Sequence, residues 1–401
     1  MRSSLCFFFL YMMKKTFSNL TLLCLLAAVI GCKNTDQNAA QDFKYNITMT
    51  ELTEPDWFDL VDSASYIVLK SPDGSAMGEV KQLVVSDDRI YVLADGFYCF
   101  DMDGNCVFKQ TAKGRARNEF LNPTSISVSD GQLFVYDMTQ NKGLFYDAHT
   151  GRHITTATFQ DYVRAAYCSD DYIICRNSFP EGPDKARYYV YSKNNTDQSV
   201  SGFFSENEHV LSIRGTDTWS NDEGLFYTSY RRNLAWKIKG KECIPYIRLT
   251  VPSDQTIPDR VLDEIIEKGV VSPKAINDNT NYVSGLSFIA ENDGFIFGQC
   301  GDNHLPIYFL YDKKSGNARF FYRTAESYLW QLLPVYERPS VGRSDCIYTI
   351  VGIDNLLYYK SILGSLGVEP SLEKYRQAYD ACNSVTENDY AIVACLWFKE
   401  L

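Results

Sequence analysis

Histidine is scarce in this sequence: His149, His153, His209 and His304 are the only four in 401 residues. A three-histidine metal site would have to gather them from distant segments, and no metal or cofactor is expected. No Cys-x-x-Cys pair occurs, which removes the common structural zinc sites. The phosphate-cradling Gly-x-x-x-x-Gly-Lys-Ser/Thr loop, the His-Glu-x-x-His helix and the Gly-x-Ser-x-Gly nucleophile elbow are all missing. Ser365, in Leu363-Gly364-Ser365-Leu366-Gly367, lacks the elbow's first glycine. Basic residues are also short, 39 against 50 acidic, for a formal net charge of −11. That deficit argues against a general nucleic-acid binder, which needs basic side chains to displace counterions.

Aromatic residues make up 14% of the chain, a content that disordered low-complexity sequences do not reach. The N-terminus reads as an export signal. Lys14 and Lys15 precede the apolar run Leu20–Ile30, which is shorter than the about 20 residues a membrane span needs. Val29-Ile30-Gly31-Cys32 follows, in the manner of a bacterial lipobox, so residues 1–31 are expected to be removed and Cys32 lipidated. Translation is expected to begin at Met13 rather than Met1. Residues 32–53 are polar and read as the lipidated cysteine and a tether, with the folded domain spanning 54–401. Lys33 is similar to the residue that follows the cysteine in outer-membrane lipoproteins, facing either the periplasm or the cell surface. The membrane, through the lipid, is the first expected partner. Nine cysteines remain past Cys32, an odd number without framework spacing, and one bridge, Cys168 to Cys175, is conceivable across a tight turn.

Internal repetition is the strongest signal. An acidic or amide turn followed by an apolar strand occurs at Asp87–Val92, Asp130–Val135, Asp170–Ile174, Asn221–Tyr227, Asn292–Phe297 and Asp354–Tyr358. Five copies are followed by a second hairpin, around Asp103-Gly104, Thr150-Gly151, Asn194-Asn195, Lys239-Gly240 and Ser315-Gly316. Gly and Asn there supply the positive φ of tight hairpins. The sixth copy lacks its second hairpin, and Tyr390–Phe398 and Ala64–Lys70 are available to complete it. The expected fold is all-β, a six-bladed β-propeller closed by pairing of N- and C-terminal strands, with short helical insertions. Those insertions are predicted at Pro258–Lys268 and from a Ser371 cap to about Asp380. They are read as shields over blade edges, or as a lid.

Trp57–Lys70 and Gly114-Arg115-Ala116-Arg117-Asn118-Glu119-Phe120 resemble the opening strand and first inter-blade turn of the six-bladed β-propeller lipoproteins of Bacteroidetes, related to NHL-type propellers. Ala116 and Arg117 stand where that family's turn has Gly and Pro, so a different backbone is expected there. The resemblance implies the fold and carries no activity.

In such a ring one end carries the first and third turns of each blade. The other end, which forms the funnel, carries the second turns and the inter-blade links. The predicted first turns of the six blades all contain Asp, whereas the funnel receives Lys113, Arg115, Arg117, Lys142, Arg176, Lys185, Arg187, Arg231, Arg232 and His304. Candidate ligand-binding residues are therefore Arg115, Arg117, Arg231, Arg232 and His304, because guanidiniums pair bidentately with carboxylates. The expected function is a lipid-anchored cell-envelope binding or protein-interaction module for an anionic glycan or peptide, or for an envelope protein partner. The alternative is an envelope lyase or hydrolase, with a histidine in the funnel.

Overall fold

The computed structural model describes residues 42–53, 60–86, 88–169, 171–177, 186–205, 217–220, 224–229, 233–258, 260–261, 282–301, 306–322, 340–366 and 373–401. The chain enters through β1 (Tyr45–Thr48), β2 (Leu52–Thr53) and β3 (Val61–Lys70). Blade one is β4 (Gln82–Ser86), β5 (Arg89–Leu93), β6 (Phe97–Asp101) and β7 (Cys106–Gln110). Blade two is β8 (Pro123–Ser129), β9 (Gln132–Asp137), β10 (Lys142–Asp147) and β11 (His153–Thr158). Blade three is β12 (Val163–Cys168), β13 (Tyr172–Asn177), β14 (Ala186–Ser192) and β15 (Asn195–Ser205). Blade four is β16 (Asp217–Ser220), β17 (Gly224–Ser229), β18 (Leu234–Lys239) and β19 (Glu242–Thr250). Blade five is β20 (Ser284–Glu291), β21 (Phe295–Gly301), β22 (Pro306–Asp312) and β23 (Ala318–Tyr322). Blade six is β24 (Ser340–Arg343), β25 (Cys346–Gly352), β26 (Asp389–Phe398) and, as its outer strand, β3.

The sixth blade is thus completed from both ends of the chain, with Ala394 opposite Tyr66 and Phe398 opposite Val61. First strands of neighbouring blades touch, β4 with β8, β8 with β12, β16 with β20 and β20 with β24, and β24 meets β4 where the ends of the chain join. The second strand of each blade explains the apolar runs. In β5, Ile90 and Val92 point into the gap toward blade six, while Tyr91 and Leu93 point into the gap toward blade two. A strand buried on both faces reads as continuously apolar. Six apolar clusters fill the six gaps between blades, so no seam is left open. Near the axis, polar side chains stitch blade to blade. Gln82 exchanges hydrogen bonds with the Ile126 backbone (2.8 and 2.9 Å), and Ser125 donates to the Ala166 carbonyl at 2.7 Å. Gly342 is pressed against blade five so closely that a Cβ would lie 1.4 Å from the Glu291 carbonyl oxygen.

Three expectations change. The stretch read as tether to Thr53 belongs to the ring from Phe43 onward. β1 pairs in parallel with β19, β2 pairs in parallel with β23, and Phe43, Ile47 and Met49 are buried. Its alternating apolar residues make it a belt over two blade edges. Second, the sixth turn-and-strand is not Asp354–Tyr358 but Ser344-Asp345 followed by β25. Asp354 instead sits in the first turn of helix α1 (Ile353–Leu366), where its charge complements the helix dipole. Third, the helix predicted to end near Asp380 is α2 (Glu373–Ser384). Both helices form the connection between β25 and β26, and Leu356, Ala378 and Val385 join the core between blades five and six. Nearly all of the predicted Pro258–Lys268 helix lies outside the described residues, as does Cys32. Among the described residues no helix is long and apolar enough to cross a membrane.

Candidate functional site

The link from blade one to blade two carries Arg115 and Arg117. Its backbone is held from below by blade two. Gln140 Nε2 donates to the Gly114 carbonyl (3.1 Å), Lys142 Nζ to that of Ala116 (2.9 Å), Tyr146 to that of Asn118 (3.2 Å) and Thr156 to that of Arg117 (2.9 Å). Glu119 turns back to accept from the Ala116 N–H at 2.9 Å, and a Cβ on residue 114 would lie 1.8 Å from that carboxylate. Glycine there and glutamate five residues on are thus one device. Phe120 anchors the end of the link against Phe97, with ring centroids 5.7 Å apart. Ala116 and Arg117 are accommodated without positive φ. Both arginines are exposed, and neither makes an ion pair or side-chain hydrogen bond among the described residues.

Other predicted funnel cations are placed differently. Lys142 is 6% exposed and spent on the Ala116 carbonyl, and burial holds its pKa below the usual lysine value. Arg187 is equally buried, over the Tyr227 ring at 5.2 Å. Arg231, Arg232 and His304 lie outside the described residues.

A Ser–Lys–Asp cluster joins the link after β3 to blade one. Lys109 Nζ lies 2.7 Å from Asp73 and 2.8 Å from Ser75 Oγ, and Ser75 donates to Asp73 at 2.7 Å. Asp73 keeps Lys109 charged by accepting its hydrogen bond, which raises the lysine's pKa. A protonated lysine cannot take a proton from serine, so the trio acts as an ionic staple rather than a nucleophilic dyad.

The opposite end holds a cluster that the sequence reading missed. The described turns there carry Asp88, Asp130, Asp171, Asp293 and Asp345. Between blades four and five, however, Glu291 accepts from Tyr246 and Lys313, and Lys313 also reaches the Asn292 carbonyl at 2.6 Å. Lys237, 5% exposed, lies over the Tyr246 ring at 4.9 Å, and Lys44 from the belt lies over the same ring at 5.2 Å. Burial pulls Lys237 down to about 8, Glu291 opposes that shift, and Lys44 and Lys313 add to it. The available signal was a lysine inside the apolar strand Leu234-Ala235-Trp236-Lys237-Ile238. Beside this cluster, where the belt crosses from blade four to blade five, a groove of about 390 Å³ opens.

Among the described residues no group of three or more His, Cys, Asp or Glu side chains is placed to hold a metal ion. Cys168 and Cys175 are buried thiols not joined in a disulfide, offset in register across their hairpin.

The sequence matches the family described as a domain of unknown function, DUF4934, over residues 43–393, beginning where the belt begins. Among curated proteins none matches. A solved structure from Bacteroides fragilis, named as an exported protein, is similar at 14% identity and a TM-score of 0.70, covering 88% of this chain and 100% of its own. A member of the DUF4221 family from Bacteroides vulgatus is similar at 9% identity and a TM-score of 0.46, with 85% and 97% covered.

Proposed function

The chain belongs to the DUF4934 family, and from that premise we propose that it is a ligand-binding or interaction module of the bacterial cell envelope, exported and anchored through lipid on Cys32 in the outer membrane. The export of the Bacteroides fragilis neighbour and the Val29–Cys32 motif support the location. One observation carries the binding role. Arg115 and Arg117 project from a link whose carbonyls are fixed by four side chains of blade two, and they have no partner of their own among the described residues. Guanidiniums held on a rigid platform lose little freedom when they close on an anion, which favours an acidic glycan or a carboxylate-bearing peptide.

A thermal-shift screen against acidic glycans and acidic peptides tests the reading, since a bound species raises the melting temperature by mass action. Arg115→Ala with Arg117→Ala should abolish the shift while leaving the melting temperature of the free protein in place. A shift that survives both substitutions, or none with any anion, removes this site.

A further inference from the structure

The belt leaves β19 after Thr48 and joins β23 at Leu52, and the groove lies in the fork between them. Asn46, Thr48 and Thr50 line one side. They are the exposed alternate residues of a stretch whose Ile47 and Met49 are buried. Asn317 and Arg319 of the blade-five hairpin line the other side, and the nearly buried Tyr311 contributes apolar surface. About 390 Å³ falls at the lower end of the size of small-molecule sites, roughly 300–1,000 Å³. The lining offers amides, which both donate and accept, together with hydroxyls, a guanidinium and an aromatic edge. Adjacent hydroxyls on a ring with apolar C–H faces match that set, because each hydroxyl also donates and accepts.

Charge narrows the ligand further. Of the carboxylates nearby, Glu291 is engaged by Tyr246 and Lys313, Asp312 by the N–H groups of Lys314, Ser315 and Leu401, and Glu400 by Lys314, while Glu51 is exposed beside the groove and the Leu401 carbonyl oxygen accepts from Asn317 at 3.1 Å. Lys44 and Lys313 lie over the Tyr45 ring, which packs edge-on against Tyr311, Lys237 lies over Tyr246, and the exposed Arg319 makes no ion pair among the described residues.

We propose that this groove is a second ligand site, for an acidic sugar of the uronic-acid type. The ring hydroxyls meet Asn46, Thr48 and Asn317, and the carboxylate meets the Arg319 guanidinium. It lies at the other end of the blades from Arg115 and Arg117, so the two sites are separable by mutation.

Ligand-observed NMR of the purified protein with millimolar glucuronate, and with glucose for comparison, tests it. Glucuronate should give a saturable signal that weakens about tenfold or more in Arg319→Ala, as expected for loss of a charge-assisted hydrogen bond, and is unchanged in Arg115→Ala. Thr48→Val, at an exposed position, should weaken both sugars. Absence of a saturable glucuronate signal, or its persistence in Arg319→Ala, overturns the proposal. So does loss in Arg115→Ala alone, which would assign the sugar to the first site and leave the binding-module reading standing. An acidic peptide that displaces glucuronate at lower concentration overturns the sugar assignment.

Discussion

A lysine in the interior stays only where its charge is compensated, and Lys237 is compensated incompletely. Its folded-state pKa of about 8 lies below the unfolded value of about 10.4, because burial and three neighbouring lysines outweigh Glu291. Between those two values the unfolded chain holds a proton that the folded chain has released. Stability therefore rises with pH across that window, and below pH 8 the full cost of the buried charge is present. Lys237→Met should stabilise the protein by roughly 1–3 kcal/mol at neutral pH, since Glu291 keeps Lys313 and Tyr246, and the gain should shrink toward pH 10. Glu291→Gln should act in the opposite sense, by about 3–5 kcal/mol, because it strands the lysines. Denaturant melts of both variants at pH 7 and pH 9.5 check this; a Lys237→Met gain that is flat with pH would show that its charge is not the cause.

At the scale of elements, the hairpins stand where turn chemistry placed them, and the one misassigned strand shows what turn chemistry leaves out. Asp354-Asn355 followed by Leu356-Leu357-Tyr358 has the composition of a turn and strand, yet it forms the start of α1. Burial tells the two apart: Leu356 is 3% exposed, Leu357 37% and Tyr358 61%, so Leu356 alone of the three faces the core, where a strand would bury Tyr358 beside it. Local composition could not reveal that periodicity, because three adjacent large residues fit either element. Leu356→Ala should cost about 2–4 kcal/mol and Leu357→Ala less than about 0.5 kcal/mol, read from the denaturant midpoint. Equal costs would contradict the helix. The same limit governs the candidate site. Position in the repeat predicted that Lys142 and Arg187 lie toward the funnel end, but whether a side chain there turns to water or into the gap between blades depends on neighbours distant in sequence. The exposed place of Arg115 and Arg117 on the inter-blade link was readable because that link carries a recognisable Gly–Glu–Phe spacing. The Lys237 cluster was not, because Lys44, Lys237, Glu291 and Lys313 come from three separate parts of the chain.

For the molecule as a whole, the N-terminal residues from Phe43 to Lys70 do more than close a ring. β3 completes blade six, while β1 and β2 cover the outer edges of blades four and five. Three of the six blades therefore depend on one segment that precedes them all in sequence. Removing residues up to Thr53 keeps β3, and with it the closed ring, but takes away Phe43, Ile47 and Met49. Their burial contributes up to roughly 1.5–3 kcal/mol each. It also uncovers β19 and β23 as open edges, which can pair with other chains. Such a truncated protein should retain its far-UV signal at low temperature, melt several degrees lower, and associate as its concentration rises. Circular dichroism melts with light scattering at several concentrations would show this. A truncated protein that melts unchanged and stays monomeric would mean that the belt rests on the blades without holding them.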